Sequence, residues 1–336
     1  MELKVYGCRG SYPEPGEDTV RYGGRTSCYA LQTEAGLIIL DAGNGLVPLG
    51  RDLIRKFGFK GGIEAKVFIS HVHGDHIEGW PFFTPAYLKG NKFSIYGLGN
   101  VPDKLTEESG RQVKDPETRT LLLRRRKNRM DLAMATSTQA GRHPITFAMQ
   151  KVIGADIETV DLDLPGSEIQ GNVDGLEGVA VEYMWGNHPD GALVYKITSG
   201  DKSLLFTGDY EQGPLLKTSK HPLTFNRLWE FDSFLINFIS GVDVALMDSQ
   251  YTPADYERKK TWGHPTAERS LEIAAEAARR AGKKIHVILT HHEPEYTDAF
   301  LDKRHWDLEQ FVAKENLFHH ITWELARDGM VREIKA

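Results

Sequence analysis

The chain has 336 residues, of which 26% are charged and 40% hydrophobic, as is typical of a soluble globular protein. Its formal charge of −6 argues against broad nucleic-acid affinity, although it leaves a local basic patch open. Two cysteines, Cys8 and Cys28, are too few for a disulfide framework, and the N-terminus lacks the pattern of a signal peptide. The most apolar later stretch, 234–247, is too short and too interrupted to span a bilayer. We therefore expect a cytoplasmic enzyme with no membrane partner.

The first hundred residues alternate short apolar runs with one amphipathic segment. In that segment Leu46, Leu49 and Leu53 share one helical face, and Gly58 can end the helix. Glycine turns separate the apolar runs. The patterns predict strands at 3–6, 27–32, 37–40, 66–70 and 93–97, and a helix at 46–57.

The second half of the chain has similar signals. The segment 266–281 is a good amphipathic helix, with Gly282 as its C-terminal stop. The patterns predict strands at 157–162, 179–185, 193–198, 203–207, 242–247 and 285–290, and helices at 231–240, 266–281 and 298–314.

Residues 100–155 differ in character from the rest. The part at 103–130 is highly charged and carries little strand signal. We interpret 100–155 as an insertion, mostly helical, near the active site of an otherwise single domain that spans 1–336. Its basic run at 124–129 could contact phosphates, but such a run is more often a solvated helix face.

Residues 70–76, SHVHGDH, carry the strongest chemical signal. Four potential metal ligands, His71, His73, Asp75 and His76, fall within six residues directly after the apolar run 67–69. A loop at a strand end can aim such side chains into one cleft, and imidazole with carboxylate suits zinc, manganese or iron. The alternative is a histidine-rich surface turn, but with thirteen histidines in the chain a chance cluster of three is improbable. We expect a helix to begin just beyond, within 77–83.

This His-x-His-x-Asp-His pattern after an apolar strand resembles the signature of the metallo-β-lactamase superfamily. The resemblance implies an α/β fold, a four-layer αβ/βα sandwich that stacks helix, sheet, sheet and helix. It also implies one or two metal ions at the sheet edges. It does not identify the substrate.

The resemblance further implies the remaining ligands, which should lie at other strand ends. Asp209 is similar to the family's bridging carboxylate, and His291 follows the last core strand as the family's last ligand does. His292 competes with His291, which we prefer because it comes first. The implied cofactor is a pair of divalent ions, zinc first, with manganese or iron as alternatives. One ion would be held by His71, His73 and His188, the other by Asp75, His76 and His291, and Asp209 would bridge both.

Some of these residues also have ordinary interpretations. Asp209 and His188 could each be turn residues. Asp41 resembles a family residue that orients a ligand, but a turn-capping role is about as good an interpretation. Asp248 ends a strand near the expected site, and its role is left open.

The segment 262–266, WGHPT, resembles the Gly-His-Ser/Thr segment of the ribonuclease Z and cyclic-nucleotide phosphodiesterase branch. The glycine-punctuated segments 7–11 and 22–28 resemble the same branch. The resemblance implies a dinuclear metal-dependent phosphodiesterase with catalytic roles for Asp75 and His264. His264 would bind a phosphate oxygen or protonate the leaving alkoxide. The alternative is a loop histidine at a helix cap.

A small phosphodiester such as a cyclic nucleotide is the expected substrate, since the acidic chain shows no convincing RNA-binding arm. Nucleic acid is a less favoured partner, and a homodimer is left open. Alternative functions are ribonuclease Z-like RNA processing, lactone or thioester hydrolysis, and binding without catalysis. Aromatic side chains that could stack on a nucleobase, although such residues are more often core, are Trp80, Phe82, Phe83, Tyr87 and Trp262.

Overall fold

The computed structural model describes residues 1–98, 130–131, 134–135, 138, 143–162, 170–189, 191–213 and 231–335. The basic run at 124–129 and most of the segment interpreted as an insertion lie outside these residues. Its described end contains a helix, Phe147–Ile153, whose Phe147 side chain is buried against Trp80.

Fourteen strands of the described chain form two sheets. The strands are β1 Glu2–Gly7, β2 Cys28–Thr33, β3 Gly36–Leu40, β4 Glu64–Phe68, β5 Lys92–Leu98, β6 Asp156–Leu162, β7 Gln170–Val173, β8 Ala180–Gly186, β9 Ala192–Ser199, β10 Lys202–Phe206, β11 Val244–Asp248, β12 Ile285–Thr290, β13 Ile321–Leu325 and β14 Val331–Glu333.

Helices cover the outer faces of the sheets or lie in the loops between strands. They are α1 Leu46–Phe57, α2 Gly74–Ile77, α3 Phe147–Ile153, α4 Phe231–Ile239, α5 Pro253–Lys259, α6 Ala267–Ala281 and α7 Asp298–Lys314. None of these described helices combines the length and the apolar character needed to cross a membrane.

Each sheet is half antiparallel and half parallel. The first has the order β14-β1-β2-β3-β4-β5-β6, in which β3 to β6 run parallel. The second has the order β13-β12-β11-β10-β9-β8-β7, in which β10 to β13 run parallel. Strand β8 is antiparallel to β9, which is antiparallel to β10, so β8 and β10 end at the same edge. The carboxyl ends of β8, β10, β11 and β12 therefore lie together.

Apolar layers hold the sandwich together. Phe68 of the first sheet packs on Tyr195 of the second, between the two sheets. Leu49 and Leu53 of α1 pack on the outer face of the first sheet, and Leu271 of α6 packs on the outer face of the second. Each such fully buried side chain stabilises the fold by about 1.5–3 kcal/mol. The layers are helix, sheet, sheet and helix, which confirms the predicted α/β sandwich.

Some local features differ from those predicted. The helix expected within 77–83 instead begins at Gly74, inside the histidine motif, and ends at Ile77. It is followed by two short 3-10 turns, Trp80–Phe82 and Thr84–Tyr87, each of which contains a proline near its start. The sequence patterns also missed β7, β13, β14 and α5. These elements are short, and each strand among them lies at or next to a sheet edge, where apolar alternation is weak.

Candidate metal centre

Strand ends from both sheets converge on one polar cluster. Parallel strands β3 and β4 deliver Asp41 and the segment 71–76 from the first sheet. From the second sheet, β8 leads to His188, β10 to Asp209, β11 to Asp248 and β12 to His291. Side chains that follow carboxyl ends of neighbouring parallel strands meet at one sheet edge.

The first set of potential ligands, called the histidine group here, consists of His71, His73 and His188. The ring centroids of His71 and His188 are 4.5 Å apart, and those of His73 and His188 are 4.8 Å apart. One nitrogen from each ring lies within 4.8 Å of the others, so one cation could contact all three. These are the residues predicted for the first metal.

The second set, called the carboxylate group here, consists of Asp75, His76, Asp209 and His291. The His291 Nε2 atom is 3.2 Å from Asp75 Oδ2 and 3.1 Å from Asp209 Oδ1. The His76 Nε2 atom is 3.2 Å from Asp209 Oδ2. That oxygen is also 3.5 Å from His71 Nε2, so Asp209 contacts both groups. The structure thus brings all seven predicted ligands together in the predicted grouping.

His264 lies against the carboxylate group. Its Nδ1 atom is 2.9 Å from Asp248 Oδ2 and 3.9 Å from Asp209 Oδ2, and its ring lies 5.0 Å from the His291 ring. Asp209, Asp248, His264 and His291 form a further set with ligand spacing. The role of Asp248 was left open from the sequence, and its structural partner is His264.

Three neighbours hold the potential ligands in orientation. Asp41 Oδ2 is 2.6 Å from His76 Nδ1, and Asp41 Oδ1 accepts a hydrogen bond from the Ser70 N–H. Gln250 Oε1 is 2.9 Å from His291 Nδ1. The Ser11 N–H donates to Asp75 Oδ2 at 2.8 Å. The Nδ1 atoms of His76 and His291 are thus occupied by Asp41 and Gln250, which leaves the Nε2 atom of each ring directed at the cluster. Sequence reasoning missed Gln250, because a single glutamine after a strand carries no motif.

The structure separates the two histidines that end β12. His291 has a left-handed backbone with φ +60° and points into the carboxylate group. His292 turns the opposite way, and its Nε2 atom is 2.9 Å from the Ala326 carbonyl oxygen. Only His291 therefore has ligand geometry, as preferred from the sequence.

The protonation states suit cation binding. Burial lowers the pKa of His71 and of His188 well below the usual value, so both rings are neutral, the form that binds metal. Burial also lowers the pKa of His76, but Asp209, Asp75 and Asp41 outweigh it and hold that pKa well above the usual value. Burial raises the pKa of Asp209, but the neighbouring His291 and His76 have the larger effect and hold that pKa well below the usual value. The carboxylates thus stabilise positive charge in the carboxylate group, while His71 and His188 of the histidine group stay neutral.

Orphaned buried atoms test whether a metal would fit. His71 Nε2, both ring nitrogens of His188 and Asp209 Oδ1 are buried without a hydrogen-bond partner. Leaving such atoms unpaired costs about 1–3 kcal/mol each. A cation in the histidine group would satisfy His71 Nε2 and one ring nitrogen of His188, and a cation in the carboxylate group would satisfy Asp209 Oδ1. The donor set of imidazole and carboxylate fits zinc, manganese or iron.

Comparisons with known proteins agree at the level of fold. No known protein-family pattern matches the sequence, and no curated protein matches it either. Among solved structures, the metallo-beta-lactamase fold protein YhfI from Bacillus subtilis is similar, with a TM-score of 0.58, 17% identity and 99% of each chain covered. Unliganded yeast PDE1 has a TM-score of 0.57, 15% identity and 98% of each chain covered. Human tRNase Z, short form, has a TM-score of 0.54, 18% identity and 100% of each chain covered. With two seven-stranded sheets, flanking helices and the histidine motif at their shared edge, the chain has the metallo-β-lactamase fold.

Proposed function

We propose that this chain is a metal-dependent hydrolase that holds two divalent ions and cleaves a small phosphodiester such as a cyclic nucleotide. The observation that supports this most is Asp209, whose carboxylate lies between the histidine group and the carboxylate group. Two adjacent ligand sets that share one carboxylate suit a pair of ions about 3.5–4 Å apart. Zinc is the first choice, and manganese or iron would suit the same donors.

Two ions bound there would activate water and neutralise charge on the attacking and leaving oxygens of a displacement. The chain's own residues would orient the phosphate and manage protons. We assign catalytic roles to Asp75 and His264. Asp75 Oδ2 is held by the Ser11 N–H and faces His291, so the loop after β1 also positions the cluster.

His264 is placed to act as a general acid. If its Nδ1–H donates to Asp248 Oδ2, the other ring nitrogen is left to exchange a proton with a substrate oxygen. Asp248 is fully buried, and its Oδ1 atom accepts a hydrogen bond from the Gln250 N–H, so its carboxylate is held in place to orient the ring. A hydrolase that expels a poor alkoxide needs such a proton donor, whereas a nitrophenolate leaving group needs little help.

The first experiment asks which bond is cleaved. Purified protein loaded with zinc or manganese would be assayed on a cyclic nucleotide, on bis(nitrophenyl) phosphate and on a lactone. We expect hydrolysis of both diesters and its loss after chelation. Hydrolysis of the lactone alone would contradict the proposal and would favour the alternative function, hydrolysis of lactones or thioesters.

The second experiment tests the role of His264. His264→Ala should slow cleavage of a cyclic nucleotide by about 10²–10⁴-fold, and cleavage of a nitrophenyl diester far less. Elemental analysis should show both metals retained. His319→Ala, at an exposed position, serves as the control. Equal losses on both substrates would assign His264 to metal or phosphate positioning instead.

A further inference from the structure

We infer that Trp262 is the residue that stacks on the planar base of the substrate, and that buried Glu211 holds the loop that presents it. This inference rests on the proposed function, which it deepens by assigning the base-recognition surface. It starts from the loop 261–263, which lies directly before His264.

The loop has a costly backbone. Thr261 has φ +76° and Gly263 has φ +100°, so Trp262 lies between two residues in the left-handed region. For a β-branched residue such as Thr261 this conformation is a genuine outlier, and such outliers persist only where the surroundings enforce them. They are concentrated at functional sites, which makes the side chain between them a candidate for a contact with substrate.

The Glu211 side chain holds the backbone of this loop in its strained conformation. It is buried, and its Oε2 atom accepts a hydrogen bond of 2.8 Å from the Gly263 N–H. Burial raises the pKa of Glu211, and the Tyr256 side chain and the Gly263 and Thr261 backbone oppose this rise. The Glu211 backbone is itself paired with Asn187, the residue before His188. The loop is therefore tied to the strand ends that carry His188 and Asp209.

Contacts place the loop 261–263 beside the metal centre. A Cβ atom on Gly263 would lie 2.5 Å from His188 Cδ2, so the loop backbone lies directly against a predicted ligand. The Lys259 ammonium is 4.9 Å from the Tyr251 ring centroid and 5.7 Å from that of Trp262. The Tyr251 ring in turn meets the His264 ring edge-on at 5.5 Å.

Exposure then separates Trp262 from the other aromatic candidates. Trp80 and Phe83 are fully buried, so neither can offer a face to a ligand. Trp262 is 61% exposed, and Phe82 is also exposed but lies against His143. Exposure alone is not informative, since Trp306 on α7 is 59% exposed as well. Trp262 is both exposed and held in a loop whose strained backbone lies beside the metal ligands. Its indole face suits a nucleobase.

Binding measurements test the inference without relying on turnover. Calorimetry would compare adenosine 5′-monophosphate with ribose 5-phosphate, which has the same phosphate but no base, on the metal-loaded full chain. Trp262→Ala should raise the Kd of the nucleotide by roughly 10-fold or more and leave the Kd of ribose 5-phosphate unchanged. Trp262→Phe should restore most of the affinity, because phenylalanine keeps a stacking face. Trp306→Ala is the matched control and should change neither Kd.

The outcomes distinguish this inference from the proposed function. Weaker nucleotide binding in Trp262→Ala, in a protein that cleaves no diester, would support the stacking role and contradict the phosphodiesterase. Diester cleavage with unchanged nucleotide Kd in Trp262→Ala would support the phosphodiesterase and overturn the stacking role. Equal affinity of the unaltered protein for both phosphates, or equal losses on both in Trp262→Ala, would also overturn it.

Discussion

Single residues are aimed into the centre by their backbone as well as by their chemistry. Asp41 and His291 both follow strands and both have left-handed backbones, with φ +57° and +60°. Aspartate and histidine tolerate this conformation better than most residues. It turns Asp41 toward His76 and His291 toward Asp209. Asp209 itself has buried oxygens that face His71, His76 and His291.

Asp209 should therefore affect both metals when it is replaced. Asp209→Ala should reduce the metal content from about two ions per chain to one or none, because one carboxylate serves both. Elemental analysis after removal of loosely bound metal measures this directly. Asp201→Ala, at an exposed turn position, should keep the full content. Full metal content in Asp209→Ala would show that the carboxylate bridges nothing.

At the scale of elements, the segment after β10 anchors the start of α6. Glu211 accepts a hydrogen bond from Gly263, and Gln212 Oε1 accepts one of 2.9 Å from the Thr266 N–H at the start of the helix. His264 lies between these two tethers. The segment that follows Asp209 thus also positions His264, so the positions of these two side chains are fixed relative to each other.

Different substitutions of Glu211 should destabilise the protein to different degrees. Glu211→Leu leaves the Gly263 N–H without an acceptor and should lower the free energy of unfolding by about 1–3 kcal/mol. Glu211→Gln keeps one carbonyl oxygen and should lose less. Urea denaturation of the metal-loaded protein measures both. Glu257→Leu, on the exposed side of α5, should change stability by less than about 0.5 kcal/mol. Equal losses in Leu and Gln variants would contradict this role.

At the scale of the whole molecule, the C-terminal segment joins the two sheets. Strand β13 pairs with β12 in the second sheet, and β14 pairs with β1 in the first. The crossing between them contains Asp328, whose N–H donates to the Tyr22 carbonyl oxygen. The Asp328 carboxyl accepts from the Cys8 thiol and lies 3.4 Å from an Arg25 nitrogen.

This crossing should make stability depend on pH. Burial raises the pKa of Asp328 from 3.8 to about 7, although Arg25 opposes the rise. Because the folded pKa is the higher one, the contribution to stability is full below about pH 4 and is lost as the pH rises through about 7. Asp328→Asn stays neutral and should raise the Tm at pH 8 more than at pH 5. Asp174→Asn, which is exposed, should raise it at neither. A Tm difference that is the same at both pH values would contradict the assignment.

Local patterns in the sequence were sufficient for the main elements and for the metal motif. Helices α1 and α7 and strand β12 have the predicted bounds, because helical periodicity, strand alternation and end signals are encoded within a few residues of each other. The ligands in 71–76 are also contiguous, so their spacing was visible without a fold. The strand-end positions of His188, Asp209 and His291 followed from the family resemblance.

Only the tertiary structure decided what depends on residues far apart in the chain. The sequence favoured His291 over His292 only because it comes first after the strand, and the structure shows that the His291 side chain faces the cluster while His292 faces the Ala326 carbonyl. The pairing of Asp248 with His264 and that of Gln250 with His291 each join different elements. Trp80 and Trp262 are the same residue type, yet Trp80 is fully buried and Trp262 is 61% exposed. Burial is a property of the packed sandwich, since it depends on which surfaces the two sheets and their helices cover.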